Sequence, residues 1–210
     1  TVVNSYRMGH THLWHYFLAT HGYIVVSVDG RGTGGRGSVF KKQVYKRLGE
    51  LEAADQIEAA KYFADLKYVD SARIGIWGWS YGGLMSTLAL AKGGDIFSAA
   101  IAVAPVTNWR YYDTIYTERY MQTPSENCEG YENNAPVNLA SDIKGDYLLI
   151  HGTGDDNVHF QHTADMIDAL VRNNVQFQTM IYPNRNHGIS GGNTRLHLYR
   201  LMTDFIFQKL

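Results

Sequence analysis

Apolar and polar positions along the chain fall into two alternating rhythms. Short, mainly apolar runs lie at 23–28, 73–77, 100–104, 146–150 and 177–182. Runs of that length, rich in Ile, Val, Leu and Tyr and bounded by turn residues, predict strands buried on both faces. Between them stand longer stretches with helical spacing. Residues 48–63 put Leu51, Ala54, Ile57 and Ala60 on one face, with the stem of Lys61 beside them. Residues 81–92, 161–173 and 193–209 predict further helices. Pro105 closes the run at 100–104, and an aromatic segment then reaches Met121. A stretch rich in Asn, Glu and Gly over 122–140 predicts a loop. Mainly apolar strands separated by helices predict an α/β fold, a mostly parallel sheet with helices on both faces. In such sheets reactive groups sit on loops beyond the carboxyl ends of the strands.

Composition narrows the picture. With 210 residues, 45% of them hydrophobic, the chain can bury one core, which predicts one domain over 1–210. Nineteen basic against twenty acidic residues leave a net charge of −1, which argues against nucleic acid or an anionic membrane as the main partner. No apolar run approaches the roughly 18 residues of a membrane span, and no signal peptide is visible. The chain begins at Thr1 rather than an initiator Met, so it is expected to be an N-terminally truncated piece of a longer protein. Cys128 is the single cysteine, which excludes an internal disulfide framework.

The chemistry concentrates at Gly78-Trp79-Ser80-Tyr81-Gly82. A predicted strand precedes this G-x-S-x-G pattern, and Gly83 and a predicted helix follow it. Strand, G-x-S-x-G and helix form a nucleophile elbow, the tight turn that presents the serine of an α/β-hydrolase. Side chains at the flanking glycines are expected to collide with strand and helix. Ser80 then sits at the positive end of a helix, where the N–H of Tyr81 can receive an oxyanion.

A serine hydroxyl needs an imidazole to take its proton, and a carboxylate must hold that imidazole in the right tautomer. The chain order in this fold is Ser, acid, His. The strand at 146–150 runs into His151-Gly152-Thr153-Gly154-Asp155-Asp156-Asn157-Val158, and spacing alone leaves Asp155 and Asp156 both open. The strand at 177–182 runs into a loop ending in His187-Gly188, which offers the base.

From Tyr45 onward the chain resembles the catalytic domain of the prolyl oligopeptidase family, in its dipeptidyl-peptidase branch. The resemblance rests on Arg47-Leu48-Gly49, Asp55-Gln56-Ile57-Glu58-Ala59-Ala60 and Ile76-Trp77-Gly78-Trp79-Ser80-Tyr81-Gly82-Gly83. It continues through Ala102-Val103-Ala104-Pro105-Val106, Tyr111-Tyr112-Asp113 and Tyr116-Thr117-Glu118-Arg119-Tyr120-Met121. His151-Gly152-Thr153, Asp155-Asp156-Asn157-Val158-His159-Phe160-Gln161 and His187-Gly188 complete it. The resemblance implies that Ser80 is the nucleophile, Asp155 the acid and His187 the general base, with Asp156 shaping the loop.

It further implies that Tyr81, Val106, Trp109, Tyr112, Tyr116 and Val158 line a pocket for a proline side chain, and that the amide of Asn157 binds the carbonyl of the preceding substrate residue. Aromatic walls suit a flat, rigid ring that lacks an N–H once acylated. Trp109, Tyr112 and Tyr116 also recur at i, i+3 and i+7, so on a helix they would share a face. The implied activity is that of a serine exopeptidase releasing Xaa-Pro dipeptides, and Xaa-Ala less readily, through an acyl-enzyme. Its substrates would be peptides with proline at the second position. Alternatives are an oligopeptidase or acylaminoacyl-peptidase of the same family, or a silent binding module on the same fold. No cofactor, metal or nucleic acid is implied. The resemblance also implies a homodimeric parent in an extracytoplasmic compartment. A second oxyanion donor (a tyrosine) and a β-propeller with an amine-anchoring glutamate pair are expected upstream of Thr1.

Other signals carry less. Gly32-Thr33-Gly34-Gly35-Arg36-Gly37 fits a dinucleotide fingerprint, but no helix is predicted directly after it and no acid ends a second strand about twenty residues on. His10, His12 and His15 lack a carboxylate or cysteine in metal-binding register. His159 and His162, near a helix start, are expected to be solvated or capping. Cys128 is expected in a polar loop, as a bystander or an intermolecular contact, with no chemistry assigned to it.

Overall fold

A computed structural model describes residues 10–210. Four strands form one sheet in the order β1-β2-β3-β4: β1 Gly75–Trp79, β2 Ala99–Val103, β3 Asp146–Gly152 and β4 Gln178–Tyr182. Every pairing is parallel, with Trp77 opposite Ile101, Ile101 opposite Leu148, and Ile150 opposite Met180. The helices are α1 His10–Thr20, α2 Ser38–Lys42, α3 Glu50–Ala64, α4 Tyr81–Lys92, α5 Thr114–Met121, α6 Cys128–Asn133, α7 Gln161–Arg172 and α8 Thr194–Lys209.

Successive strand residues point to opposite faces, so each strand feeds two cores. Ala100, Ala102, Tyr147 and Leu149 pack with Ile57 and Ala60 of α3, Ala89 and Leu90 of α4, and Met166 and Leu170 of α7. Ala99, Ile101, Val103, Leu148 and Ile150 pack on the other face with Trp14 and Leu18 of α1 and Leu198, Met202 and Phe205 of α8. Helices on both faces explain why the strands read as mainly apolar runs. A third cluster caps the carboxyl end of the sheet and contains Leu84, Leu88, Val106, Trp109, Met121 and Val158.

Three expectations are corrected. Residues 23–28 pair with no strand among the described residues. The period of two survives: Tyr23 and Val25 pack on the face of α1 and α8, while Ile24 and Val26 are exposed. A β-branched run becomes a strand only when its backbone groups find a ladder partner. The predicted loop over 122–140 contains α6 and then a 3₁₀ stretch at Pro136–Asp142. The short helix α2 follows Gly37 directly, contrary to the expectation that no helix starts there.

Candidate active site

Ser80 sits between the last residue of β1 and the first of α4, and its backbone is forced into φ 61°, ψ −117°. A positive φ is costly for a non-glycine residue and persists only where the surroundings impose it. Here the Ser80 N–H donates to Val103 O at 2.8 Å and its carbonyl accepts from Leu84 N at 3.0 Å. The first-turn N–H of Tyr81 has no intrahelical acceptor and heads the helix dipole. The glycines divide unevenly. A Cβ on Gly78 would lie 2.2 Å from Gly82 O, so the expected collision holds there. A Cβ on Gly82 would meet nothing within 4 Å, so the expectation fails for that residue. Gly83 is the second constrained position, because its Cβ would lie 2.9 Å from Pro105 Cβ and 3.0 Å from Val103 O.

Asp155 and His187 come from the loops after β3 and β4, and those loops are stitched together. Thr153 N donates to Tyr182 O at 3.0 Å, Gly154 N to Arg185 O at 3.0 Å, and Asn184 N to Thr153 Oγ1 at 2.9 Å. The result places His187 Nδ1 2.7 Å from Asp155 Oδ2. Asp155 Oδ1 accepts from the backbone N–H groups of Asn157 and Val158, each at 3.0 Å. Burial alone would raise the Asp155 carboxyl. Hydrogen bonds from His151, His187 and Asn157 N more than offset it, and the group stays well below the ordinary carboxylate range. Asp156, its sequence neighbour, is exposed. The His187 loop is held from the sheet side too, since Trp79 Nε1 donates to His187 O at 3.0 Å. No hydrogen bond joins Ser80 to His187 among the described residues; in ligand-free enzymes such contacts are often long and tighten with substrate.

All six proposed pocket residues belong to the third cluster: Val106, Trp109 and Val158 are buried, and Tyr81, Tyr112 and Tyr116 are partly buried against them. The Trp109 ring stacks on Tyr116 at 6.0 Å and lies 5.8 Å from Tyr81. Tyr112 meets Tyr116 edge-on at 5.3 Å. They do not share one helix, as the spacing suggested. Trp109 is in a 3₁₀ turn, Tyr112 is extended at φ −91°, ψ 160°, and α5 starts afresh with Asp113 Oδ1 accepting from Tyr116 N. Tyr112 Oη donates to Asn157 Oδ1 at 2.8 Å, which leaves the amide N–H groups of Asn157 to be donated elsewhere. Burial, with Tyr120 and Tyr112 nearby, pushes the Tyr116 phenol up to about 12, so that wall stays uncharged at neutral pH.

Sequence reasoning missed three residues at the site. Glu52 of α3 is partly buried, and its carboxylate accepts from Tyr81 Oη and from Gly49 N. Burial raises its carboxyl. His151 is completely buried and also reaches Asp155. His162, expected to be solvated or capping, is buried instead and accepts from Thr107 N at 3.0 Å. Glu52 and His162 had no sequence signal, since their contacts join separate elements, whereas His151 lies in the His151-Gly152-Thr153 motif four residues before Asp155. His159 is exposed, and Cys128, in α6 rather than a loop, is also exposed.

A parallel sheet with a positive-φ serine at a strand-to-helix turn and an Asp–His pair on later strand ends defines an α/β-hydrolase fold. A profile of the prolyl oligopeptidase family matches residues 10–210, and the chain belongs to that family. It is 48% identical over 196 residues to prolyl endopeptidase FAP of Mus musculus, and equally to dipeptidyl peptidase 4 of Felis catus. Each alignment covers 92% of this chain and 26% of the relative, so the chain spans about a quarter of the length of those relatives. The crystal structure of Porphyromonas gingivalis dipeptidyl peptidase 4 superposes with a TM-score of 0.93 at 50% identity, covering 94% of this chain and 28% of that one.

Proposed function

We propose that this chain carries the catalytic machinery of a serine exopeptidase that releases Xaa-Pro dipeptides, and Xaa-Ala less readily, from peptide N-termini. The observation that supports it most is the 2.7 Å contact between Asp155 and His187, on the strand ends beside the strained Ser80 turn. In this reading His187 takes the Ser80 proton as Oγ attacks the carbonyl carbon. Asp155 keeps Nδ1–H directed at itself and stabilises the imidazolium. The Tyr81 N–H receives the oxyanion. His187 then passes its proton to the leaving amine, and water repeats the cycle on the acyl-enzyme. The proline ring enters the cluster of Tyr81, Val106, Trp109, Tyr112, Tyr116 and Val158, and Asn157 donates to the preceding carbonyl. From the resemblance alone we add an upstream propeller and oxyanion tyrosine, a homodimeric parent and an extracytoplasmic location. Among the described residues no helix is long and apolar enough to cross a membrane.

A prolyl endopeptidase is the second reading, favoured by a relative of that name at equal identity. Two substrates separate the readings in the full-length protein: a Gly-Pro chromogenic amide and its N-acylated form. Cleavage of the free-amine substrate alone is expected. Equal cleavage of both supports the endopeptidase, and cleavage of neither overturns the proline-directed reading.

A further inference from the structure

Asp155 has two imidazole neighbours, and the mechanism above uses one. The other, His151, lies in β3 and is completely buried. Its Nε2 is 2.8 Å from Val158 O and 3.1 Å from Asp155 Oδ2. Both are acceptors, so Nε2 carries a proton shared between them. Its Nδ1 is 2.7 Å from Thr163 Oγ1. That hydroxyl has no other hydrogen-bond partner among the described residues. Both ring nitrogens of His151 are therefore engaged, with Nε2 the donor toward Asp155. The Phe160 ring packs edge-on against it at 5.7 Å.

We propose that His151 is a positioning residue: it donates to Asp155 Oδ2, the same oxygen that serves His187, and weakens the carboxylate's pull on the His187 imidazolium. The proposal rests on the roles given above to Asp155 and His187. Asp155 then receives four donors, two on each oxygen, which fixes the rotation of the carboxylate. Oδ2 serves both imidazoles, so the His151 N–H competes with His187 Nδ1–H for one oxygen. Removing that competitor concentrates the carboxylate charge on His187 and favours its protonated form. The base is then lost at higher pH. Other titratable groups near this pair are Tyr112, which faces the Asp155 charge, and His162, which faces His151, His159, Asp155 and Asp165. Burial and the neighbouring His151 and His159 push His162 down to about 4, so it adds no charge near neutrality. Arg195 lies over the ring of Trp79 at 5.1 Å, and Trp79 Nε1 donates to His187 O.

The test measures the rate at which an organofluorophosphonate labels Ser80 in the full-length protein, as a function of pH. His151→Phe keeps the volume and loses the donor; His151→Gln keeps an N–H near the position of Nε2. His151→Phe should slow labelling about tenfold at pH 7, the scale of one charge-assisted hydrogen bond. It should also move the acidic limb up by about half a pH unit or more. His151→Gln should keep the wild-type limb and label within about twofold. Thr163→Val, which frees Nδ1, should move the limb in the same direction by less, and it decides the matter if His151→Phe does not fold. An unmoved limb in folded His151→Phe, or in Thr163→Val in its place, overturns the proposal. Equal slowing in the Phe and Gln variants without a displaced limb marks a packing role and also overturns it. A wild-type protein that takes no label overturns the Ser80 reading instead. The downfield ¹H NMR spectrum then decides His151: a second imidazole N–H signal, absent in the His151 variants, is expected, and its absence from wild type overturns the inference.

Discussion

The carboxylate of Asp155 is out of solvent's reach and takes four hydrogen bonds, whereas Asp156 faces water one residue later. That contrast carries a prediction at the scale of single residues. Asp155→Asn should lower turnover on the Gly-Pro substrate by roughly ten-thousandfold, because an amide can hold the imidazole in the wrong tautomer. Asp156→Asn should leave turnover within about threefold, the ordinary scatter of a surface change. Steady-state kinetics on both variants check this, and a reversed order shows the acid to be Asp156. The sequence spacing could not choose between the two, since both lie in the loop after the same strand. What separates them is the turn that aims Asp155 Oδ1 at the N–H groups of Asn157 and Val158, a backbone feature with no signature in composition. The Tyr81–Glu52 contact and the His151–Thr163 contact were hidden for a related reason, because each joins side chains from two different elements.

At the scale of elements, the turn from β1 into α4 depends on close approach at two glycines out of three. Gly78→Ala and Gly83→Ala should each destabilise the protein by about 1–3 kcal/mol, the usual cost of overpacking. Gly82→Ala should cost less than about 0.5 kcal/mol, since its Cβ meets open space. Thermal melts of the three variants test the ranking, and a loss at Gly82 as large as at Gly78 contradicts it. The span of α4 was legible to the residue, because a run of strong helix formers starts at the elbow. The strands were legible as well, with edges displaced by a residue or two. The aromatic segment misled. Its 3.6-residue spacing suggested one helix, yet the capping carboxylate of Asp113 starts α5 only after Tyr112 has turned extended. The rings still meet, because a 3₁₀ turn, an extended residue and a helix bring them to one cluster. Residues 23–28 failed differently: their apolar alternation is real, but a strand also requires a neighbour.

For the whole molecule, the sheet order sets the active-site plan. Parallel β1, β3 and β4 deliver Ser80, Asp155 and His187 from the same end, and the third apolar cluster closes over that end. Global stability should carry the signature of this arrangement. Asp155 has a depressed folded-state pKa, so its stabilisation is full above the ordinary carboxylate value of about 3.9 and is lost as pH falls from there toward the folded value. Denaturant melts should therefore show wild type losing stability more steeply than Asp155→Asn below about pH 4; parallel losses contradict the assignment. The central claim, that the elbow serine is the nucleophile, has a more direct test. An organofluorophosphonate should react with the full-length protein, and peptide mapping should place the adduct on Ser80. Ser80→Ala should abolish the adduct and cut turnover by roughly a millionfold. An adduct on any other serine, or Ser80→Ala turning over within about tenfold of wild type, would contradict the account.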